Sequence, residues 1–339
     1  MWEEIPMELA VLAQRLEMLQ PLPLGYLPTP LAPLPRLSQA LGGPEVWIKR
    51  DDLTGLGLGG NKIRKLAFLL AEAQRQHADV IMTTGAQQSN HARQTAAVAA
   101  MLGLPCVLVL RGTPPAQPQG NYFLDRLLGA EVRWSGNRPL LQALDAEAEA
   151  LRQEGRHPYV ITYGGSSALG ACGFVAGIAE VAMQAQALGI IFDAIVFASS
   201  SGGTQAGMAA GIRALDLPTR VIGISIAEPA SSFRHDLARL TNETAALLKL
   251  DLAFSDDDFD VRDAYLGQGY GIVTDVEREA IRFAARTEGL FVDPVYTGRA
   301  LGGLMDLIRR GEFSPSQRVL FWHTGGAPAL FAYTEALEG

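Results

Sequence analysis

A chain of 339 residues with 48% apolar and 19% charged side chains has the length of about two domains and can bury a large core, which excludes a disordered protein. Its net charge of −8, with no basic block, excludes nucleic acid as the expected partner, and the 5 histidines show no metal-ligand spacing, so no metal is expected. Met1-Trp2-Glu3-Glu4-Ile5 has neither the basic nor the apolar region of a secretory signal, and no run nears the ~20 apolar residues that span a bilayer, so a cytoplasmic, membrane-free protein is expected.

In chain order, residues 21–38 carry Pro21, Pro23, Pro28, Pro30, Pro33 and Pro35 and read as an irregular extended arm. Val46-Trp47-Ile48-Lys49 reads as a strand, and the loop 51–61 after it holds Gly55, Gly57, Gly59 and Gly60. Lys62 follows and opens a helical pattern that continues through Lys65-Leu66-Ala67-Phe68-Leu69. A lysine in a first helical turn sits at the positive end of the helix dipole, which depresses its pKa and suits an amine that acts as a nucleophile. A surface lysine after a flexible loop is the plain alternative.

The same loop fits a dinucleotide fingerprint, Gly55-x-Gly57-x-x-Gly60, with Asp79 at the distance of a ribose-binding acid. The fit is poor. Lys49-Arg50-Asp51-Asp52 separates the first glycine from the strand it should leave directly, and Asn61 stands where a Walker loop needs lysine.

Strands are expected at 80–84, 106–110, 131–134 and 159–162, with helices at 121–128 and 143–154 between them. That alternation indicates a parallel, doubly wound sheet. Cys106 and Cys172 lie in apolar settings and are expected as buried free thiols. Gln87-Gln88-Ser89-Asn90-His91 runs into a helix whose N-terminal N–H groups suit a carboxylate; ordinary capping by Ser89 or Asn90 explains the residues equally well.

Gly164-Gly165-Ser166-Ser167 leads into a long small-residue helix reaching about Ala187, where the chain crosses back to the first unit. The strand 192–198 runs into Ser199-Ser200-Ser201-Gly202-Gly203-Thr204 and another helix, an arrangement that wraps one phosphate in backbone N–H groups and hydroxyls. A strand at 221–226 follows, then an acidic, peripheral segment 245–263 in which Asp256-Asp257-Asp258 is a solvated turn. Gly267-Gln268-Gly269-Tyr270-Gly271 projects a ring from a tight loop; a helix begins near Asp275; and the strand 319–323 ends in Thr324-Gly325-Gly326.

A lysine poised for imine formation, a monophosphate cup and a carboxylate site together describe pyridoxal phosphate handling a small amino acid. From Leu24 to Tyr333 the chain resembles the fold type II pyridoxal-phosphate enzymes, in the branch of D-cysteine desulfhydrase and 1-aminocyclopropane-1-carboxylate deaminase. Gly-Gly-Asn-Lys-x-Arg-Lys, Gln-Ser-Asn-His, Ser-Gly-Gly-Thr-Gln-Ala-Gly, Asp-Pro-Val-Tyr and His-Thr-Gly-Gly carry the resemblance jointly.

The resemblance implies an α/β, tryptophan synthase β-like fold with open, mostly parallel sheets. It implies a large cofactor-binding domain of residues 1–63 and 174–339, a small domain of 64–173, and a homodimer. Lys62 resembles the cofactor-holding lysine that shuttles the α-proton. Ser89 and Asn90, with His91 beside them, resemble the group near the substrate carboxylate and ring hydroxyl, Ser89 also being a proton carrier. Ser201, Gly202, Gly203 and Thr204 resemble the phosphate loop, and Lys65 adds positive charge there unless it faces solvent. Tyr270 and Tyr296 resemble the two active-site tyrosines.

Two positions separate the branches. The deaminase has a glutamate after the Asp-Pro-Val-Tyr tyrosine and a leucine before the last Gly-Gly; here these are Thr297 and Thr324. A carboxylate beside the pyridine nitrogen makes a strong electron sink, whereas a hydroxyl from Thr324 only donates to a neutral nitrogen. The weaker sink favours prompt loss of a good β-leaving group. The expected reaction is therefore β-elimination from D-cysteine to pyruvate, sulfide and ammonia. L-cysteate sulfo-lyase and 1-aminocyclopropane-1-carboxylate deaminase are the alternatives, and cysteate needs an added cation, for which Arg93, Arg299 and His323 are candidates. Outside this class stand an NAD oxidoreductase and a cofactor-binding protein without catalysis.

Overall fold

A computed structural model describes residues 7–338. In chain order its elements are α1 (Met7–Glu17), β1 (Leu31–Pro33), α2 (Pro35–Leu41), β2 (Glu45–Arg50), α3 (Lys62–Arg75), β3 (Val80–Gly85), α4 (Asn90–Met101), β4 (Cys106–Leu110), α5 (Gly120–Leu127), β5 (Glu131–Trp134), α6 (Leu140–Gln153), β6 (Pro158–Val160), α7 (Ala168–Leu188), β7 (Ala194–Ser199), α8 (Gly203–Ala214), β8 (Arg220–Ser225), α9 (Ala230–Leu247), β9 (Asp260–Arg262), α10 (Asp275–Glu288), α11 (Thr297–Arg309), β10 (Arg318–His323) and α12 (Thr334–Glu338).

The strands form two sheets. Six run in the order β1-β2-β10-β7-β8-β9 and four in the order β5-β4-β3-β6. Among the strand pairs of the described residues, only β1–β2 is antiparallel. Every residue of β3 and β4 is buried, as expected for central parallel strands covered by helices on both faces. Apolar runs such as Val80-Ile81-Met82 and Val107-Leu108-Val109 therefore have no polar face to alternate with. In the larger sheet, Phe321 of β10 lies between Ile48 and Val196 and joins the core beneath α11.

The structure corrects three expectations. The proline-rich arm is not wholly irregular: Leu31–Pro33 pairs with β2, and Pro35 starts α2. Proline fits both places, because an edge strand and a first helical position leave an N–H unused in any case. The acidic segment 245–263 ends in β9, the edge strand beside β8, while Asp256–Asp258 is an exposed, capped turn as read. Finally, α7 is long and apolar enough to span a membrane by length and composition, yet 67% of its most apolar window is packed inside the protein. Glu180 in that helix accepts charged hydrogen bonds from Arg64 and Lys49, so α7 serves as a core helix.

Cys106 and Cys172 are free and buried, and burial pushes both thiols up. Among the described residues no group of three or more His, Cys, Asp or Glu is placed to hold a metal ion.

Candidate active site

The C-terminal ends of β7, β10 and β3 open toward one cavity, the usual position for a ligand in parallel α/β folds. Its wall includes Lys62, Ser89, Asn90, His91, Ser201, Gly202, Thr204, Tyr296 and Thr324. Six segments far apart in the chain thus converge.

Lys62 is the first residue of α3, and its Nζ donates to the Gly164 carbonyl at 3.2 Å. The expected depression of its pKa is present, to about 8, but burial is the leading cause. The turn before it requires glycine: Gly60 has φ +130°, and a Cβ there would fall 2.4 Å from Gln94 Nε2. Gln94 in turn accepts from the backbone N–H groups of Lys62 and Ile63 through Oε1, so α4 fixes the start of α3.

Lys65 does not face solvent. It is fully buried, donates to Ser166 Oγ at 3.1 Å and Gly164 O at 3.3 Å, and is held well below the usual lysine pKa by burial and by Lys62. Ser166 Oγ also accepts from Gly203 N at 3.0 Å and pairs with Ser201 Oγ at 2.8 Å. Gly202, at φ +85°, turns the chain into α8 so that its first N–H groups face the same point. A lysine amine, two hydroxyls and a helix N-terminus form a cup for a doubly charged monoester, whose charge would favour the protonated amine. A Cβ on Gly203 would enter it, 2.8 Å from both Lys65 Nζ and Ser166 Oγ. These residues fit the phosphate and the aldehyde-binding amine of pyridoxal phosphate.

Ser89 caps α4, its Oγ accepting from Ala92 N at 3.1 Å, which leaves the hydroxyl hydrogen free to point into the cavity. Capping and a place in the site therefore coincide. His91 Nε2 lies 2.9 Å from Thr83 Oγ1, whose hydrogen goes to Ile161 O. Thr83 thus accepts, Nε2 carries the proton, and Nδ1 is a buried bare acceptor without a partner among the described residues. Burial keeps this imidazole neutral. A neutral ring with an unprotonated Nδ1 is a poor partner for a substrate carboxylate.

Tyr270 and Tyr296 meet hydroxyl to hydroxyl at 2.5 Å, and burial raises the pKa of both, so both stay protonated. Arg299 holds the loop that bears Tyr270, donating to the carbonyls of Leu266, Gly269 and Ile272 and pairing with Glu277. Thr324 lines the cavity, whereas Thr297 turns away: its Oγ1 donates to Asp293 Oδ2 at 2.8 Å.

The dinucleotide reading fails. The carbonyls of Gly57 and Gly59 point at Arg93, leaving that stretch no anion-binding N–H cradle, and Asp79 is tied to Arg156 and His157 N. Sequence reasoning missed Tyr163, Gly164 and Ser166 as site residues. The Gly164-Gly165-Ser166-Ser167 run has the same small, hydroxyl-rich character as the phosphate loop and was the available signal.

Fold and site define a protein of fold type II architecture whose cavity fits pyridoxal phosphate. A family profile described as pyridoxal-phosphate-dependent enzyme matches residues 22–325, and the chain belongs to that family. It is 43% identical to a 1-aminocyclopropane-1-carboxylate deaminase of Burkholderia vietnamiensis over 92% of this chain and 96% of the relative. It is also 43% identical to a D-cysteine desulfhydrase of Salmonella newport, over 90% and 94%. A solved structure described as an ACC deaminase homologue superposes with a TM-score of 0.89 at 40% identity, covering 99% of each chain. Within the family the protein is thus a pyridoxal-phosphate-dependent lyase of the deaminase and desulfhydrase type.

Proposed function

We propose that this lyase converts D-cysteine and water to pyruvate, hydrogen sulfide and ammonia. The observation that carries this reading is the make-up of the cavity wall, in which no Asp, Glu or Arg is found among the described residues and Thr324 supplies a hydroxyl. With no carboxylate to keep a ring nitrogen protonated, the site suits a substrate whose β-substituent leaves readily, as a thiol does.

Pyridoxal phosphate supplies an aldehyde that condenses with amines and a ring that draws electrons from the substrate α-carbon. Lys62 would hold the aldehyde carbon; Lys65, Ser166 and residues 201–204 would hold the phosphate; Asn90 would serve the ring hydroxyl and Thr324 the ring nitrogen. Ser89 and the start of α4 hold the substrate carboxylate. The Lys62 amine would take the substrate α-proton, for which a pKa near 8 is well matched. Tyr296, backed by Tyr270, gives a proton to the departing sulfur. Water then hydrolyses the released 2-aminoacrylate to pyruvate and ammonia.

Cysteate is disfavoured because its three candidate cations are committed elsewhere. Arg93 is bound to Gly59 O and Asn121, Arg299 to Glu277 and loop carbonyls, and neutral His323 to Phe291 O and Gly325 N. The deaminase reading has the naming of close relatives in its favour and the missing carboxylate against it. Assay of D-cysteine, L-cysteine, L-cysteate and 1-aminocyclopropane-1-carboxylate for keto acid decides the matter. Pyruvate from D-cysteine in clear preference to the others is expected; 2-oxobutanoate from the cyclopropane acid as the main product overturns the reading.

A further inference from the structure

A side-chain amide has nearly the same shape with its oxygen and nitrogen exchanged, so its neighbours decide which end faces a ligand. Asn90 lines the cavity, and its Oδ1 accepts from Asn121 Nδ2 at 2.8 Å. Asn121 is fully buried and is not part of the cavity wall. Its own orientation is fixed twice. Oδ1 accepts from Arg93 Nε at 2.7 Å, and a guanidinium has only donors. The second Nδ2 hydrogen goes to Gln88 O at 2.9 Å, and a carbonyl only accepts. Turning the Asn121 amide over would set donor against donor and acceptor against acceptor.

Arg93 is itself anchored on the carbonyls of Gly57 and Gly59, in the loop that leads to Lys62. The order imposed along Arg93, Asn121 and Asn90 therefore commits Asn90 Oδ1 inward and leaves its Nδ2 as the group offered at the cavity. That nitrogen lies 2.7 Å from where a Cβ on Gly326 would stand, at the turn after Thr324.

We propose that Asn121 is a positioning residue for the cofactor: it forces Asn90 to present a donor, not an acceptor, to the ring hydroxyl. The proposal rests on the reading that Asn90 meets that hydroxyl. A donor there favours the ionised ring oxygen and an acceptor favours the protonated one. The two forms of the lysine-bound cofactor absorb in the visible and near-ultraviolet respectively, so the orientation of Asn90 has a spectroscopic signature independent of turnover.

Asn121→Asp keeps an acceptor for Arg93 but removes the hydrogen given to Asn90, so the Asn90 amide turns over. The expected result is a fall of about tenfold in the visible to near-ultraviolet ratio of the loaded protein, the size of one hydrogen bond. Because the buried carboxylate of Asp125 lies one turn further along α5, Asn121→Ala is measured alongside it. That variant adds no charge and keeps the helix; it frees Asn90 to take either orientation, and a fall of about threefold is expected. In an Asn90→Ala background neither substitution should move the ratio, whereas a general loosening of the site would still move it. A wild-type ratio in both Asn121 variants, with Asn90→Ala shifted, overturns the role of Asn121. An unshifted Asn90→Ala overturns the placement of Asn90 and the proposal with it, while pyruvate formation from D-cysteine reports separately on the function.

Discussion

Removing the carboxylate of Glu180 tests how the active-site lysine is held. Glu180 accepts from Arg64 NH1 at 2.8 Å, Arg64 NH2 at 3.0 Å, Thr29 N at 2.9 Å and from Lys49 Nζ. Arg64 stands two residues after Lys62 on α3 and also grips Asp51, which accepts from Trp322 Nε1 at 2.8 Å. The cluster joins the arm, β2, α3, α7 and β10 in one buried unit. Despite the opposing effect of burial, the hydrogen bonds and charges of Arg64 and Lys49 lower Glu180 from 4.5 to about 2. That difference corresponds to about 3 kcal/mol, close to the ~3–5 kcal/mol typical of removing one partner from a buried ion pair. With an unfolding entropy of ~2.1 cal/mol/K per residue, 3 kcal/mol lowers the melting temperature of a chain this long by about 4 °C. Glu180→Gln is therefore expected to melt about 4 °C below the parent in its cofactor-free form at pH 7, followed by circular dichroism. The folded-state pKa is depressed, so the contribution is complete above the unfolded value of 4.5 and is lost as pH falls toward 2. The gap between parent and variant should narrow across that window. A gap under 1 °C at neutral pH, or one that does not shrink below pH 4, would refute the reasoning.

Lys62→Ala is expected to abolish covalent cofactor attachment and lower lyase turnover by at least about a thousandfold; borohydride reduction and peptide mapping of the parent should place the label on Lys62 alone. The neutral amine captures the aldehyde, so reloading of stripped protein should quicken by about tenfold per pH unit below pH 8 and level off above it, following the lowered pKa. A rise continuing toward pH 10 would mean an ordinary lysine. Gly203→Val places side-chain atoms where Lys65 and Ser166 converge and is expected to weaken cofactor affinity by about a hundredfold or more, measured by titration of the visible band, with the fold intact by circular dichroism.

The fold was readable because the strands 80–84 and 106–110 are continuous apolar runs that only a covered parallel sheet explains, and the lysine of the first helical turn was readable from the glycines before it. The cause of its lowered pKa was not. Burial depends on Gly164 and the start of α7, about a hundred residues away, and periodicity carries no information on that approach. Ser166 escaped for the same reason: its role exists only because α8 begins opposite it. Arg93, Arg299 and His323 show the converse, since a cation in sequence gives no sign of whether it faces a substrate or clamps a loop carbonyl. All three are clamps here.

Of the two threonines that bear on the choice of reaction, Thr297 is tied to one carboxylate, Asp293. Asp293 is next to the Gly325-Gly326 turn: its Oδ2 would lie 2.6 Å from a Cβ on Gly326. Yet its oxygens are saturated by Val295 N, Tyr296 N, Thr297 N and Thr297 Oγ1, which cap α11. Thr297 thereby helps keep negative charge folded into the helix terminus, while Thr324 lines the cavity. A glutamate at 297 loses one of those donors and brings a second carboxylate beside Asp293, where both cannot stay ionised and buried at low cost. The added carboxylate must turn toward the cavity, where Thr324 no longer competes if it is replaced by leucine. The Thr297→Glu/Thr324→Leu double variant is thus expected to shift the ratio of 2-oxobutanoate formed from 1-aminocyclopropane-1-carboxylate to pyruvate formed from D-cysteine by about tenfold or more toward the former. Losing the hydroxyl bond should cost about 1–2 kcal/mol of stability. A folded, cofactor-loaded double variant whose product ratio stays within about twofold of the parent would show that charge beside the ring nitrogen does not select between ring opening and elimination in this protein.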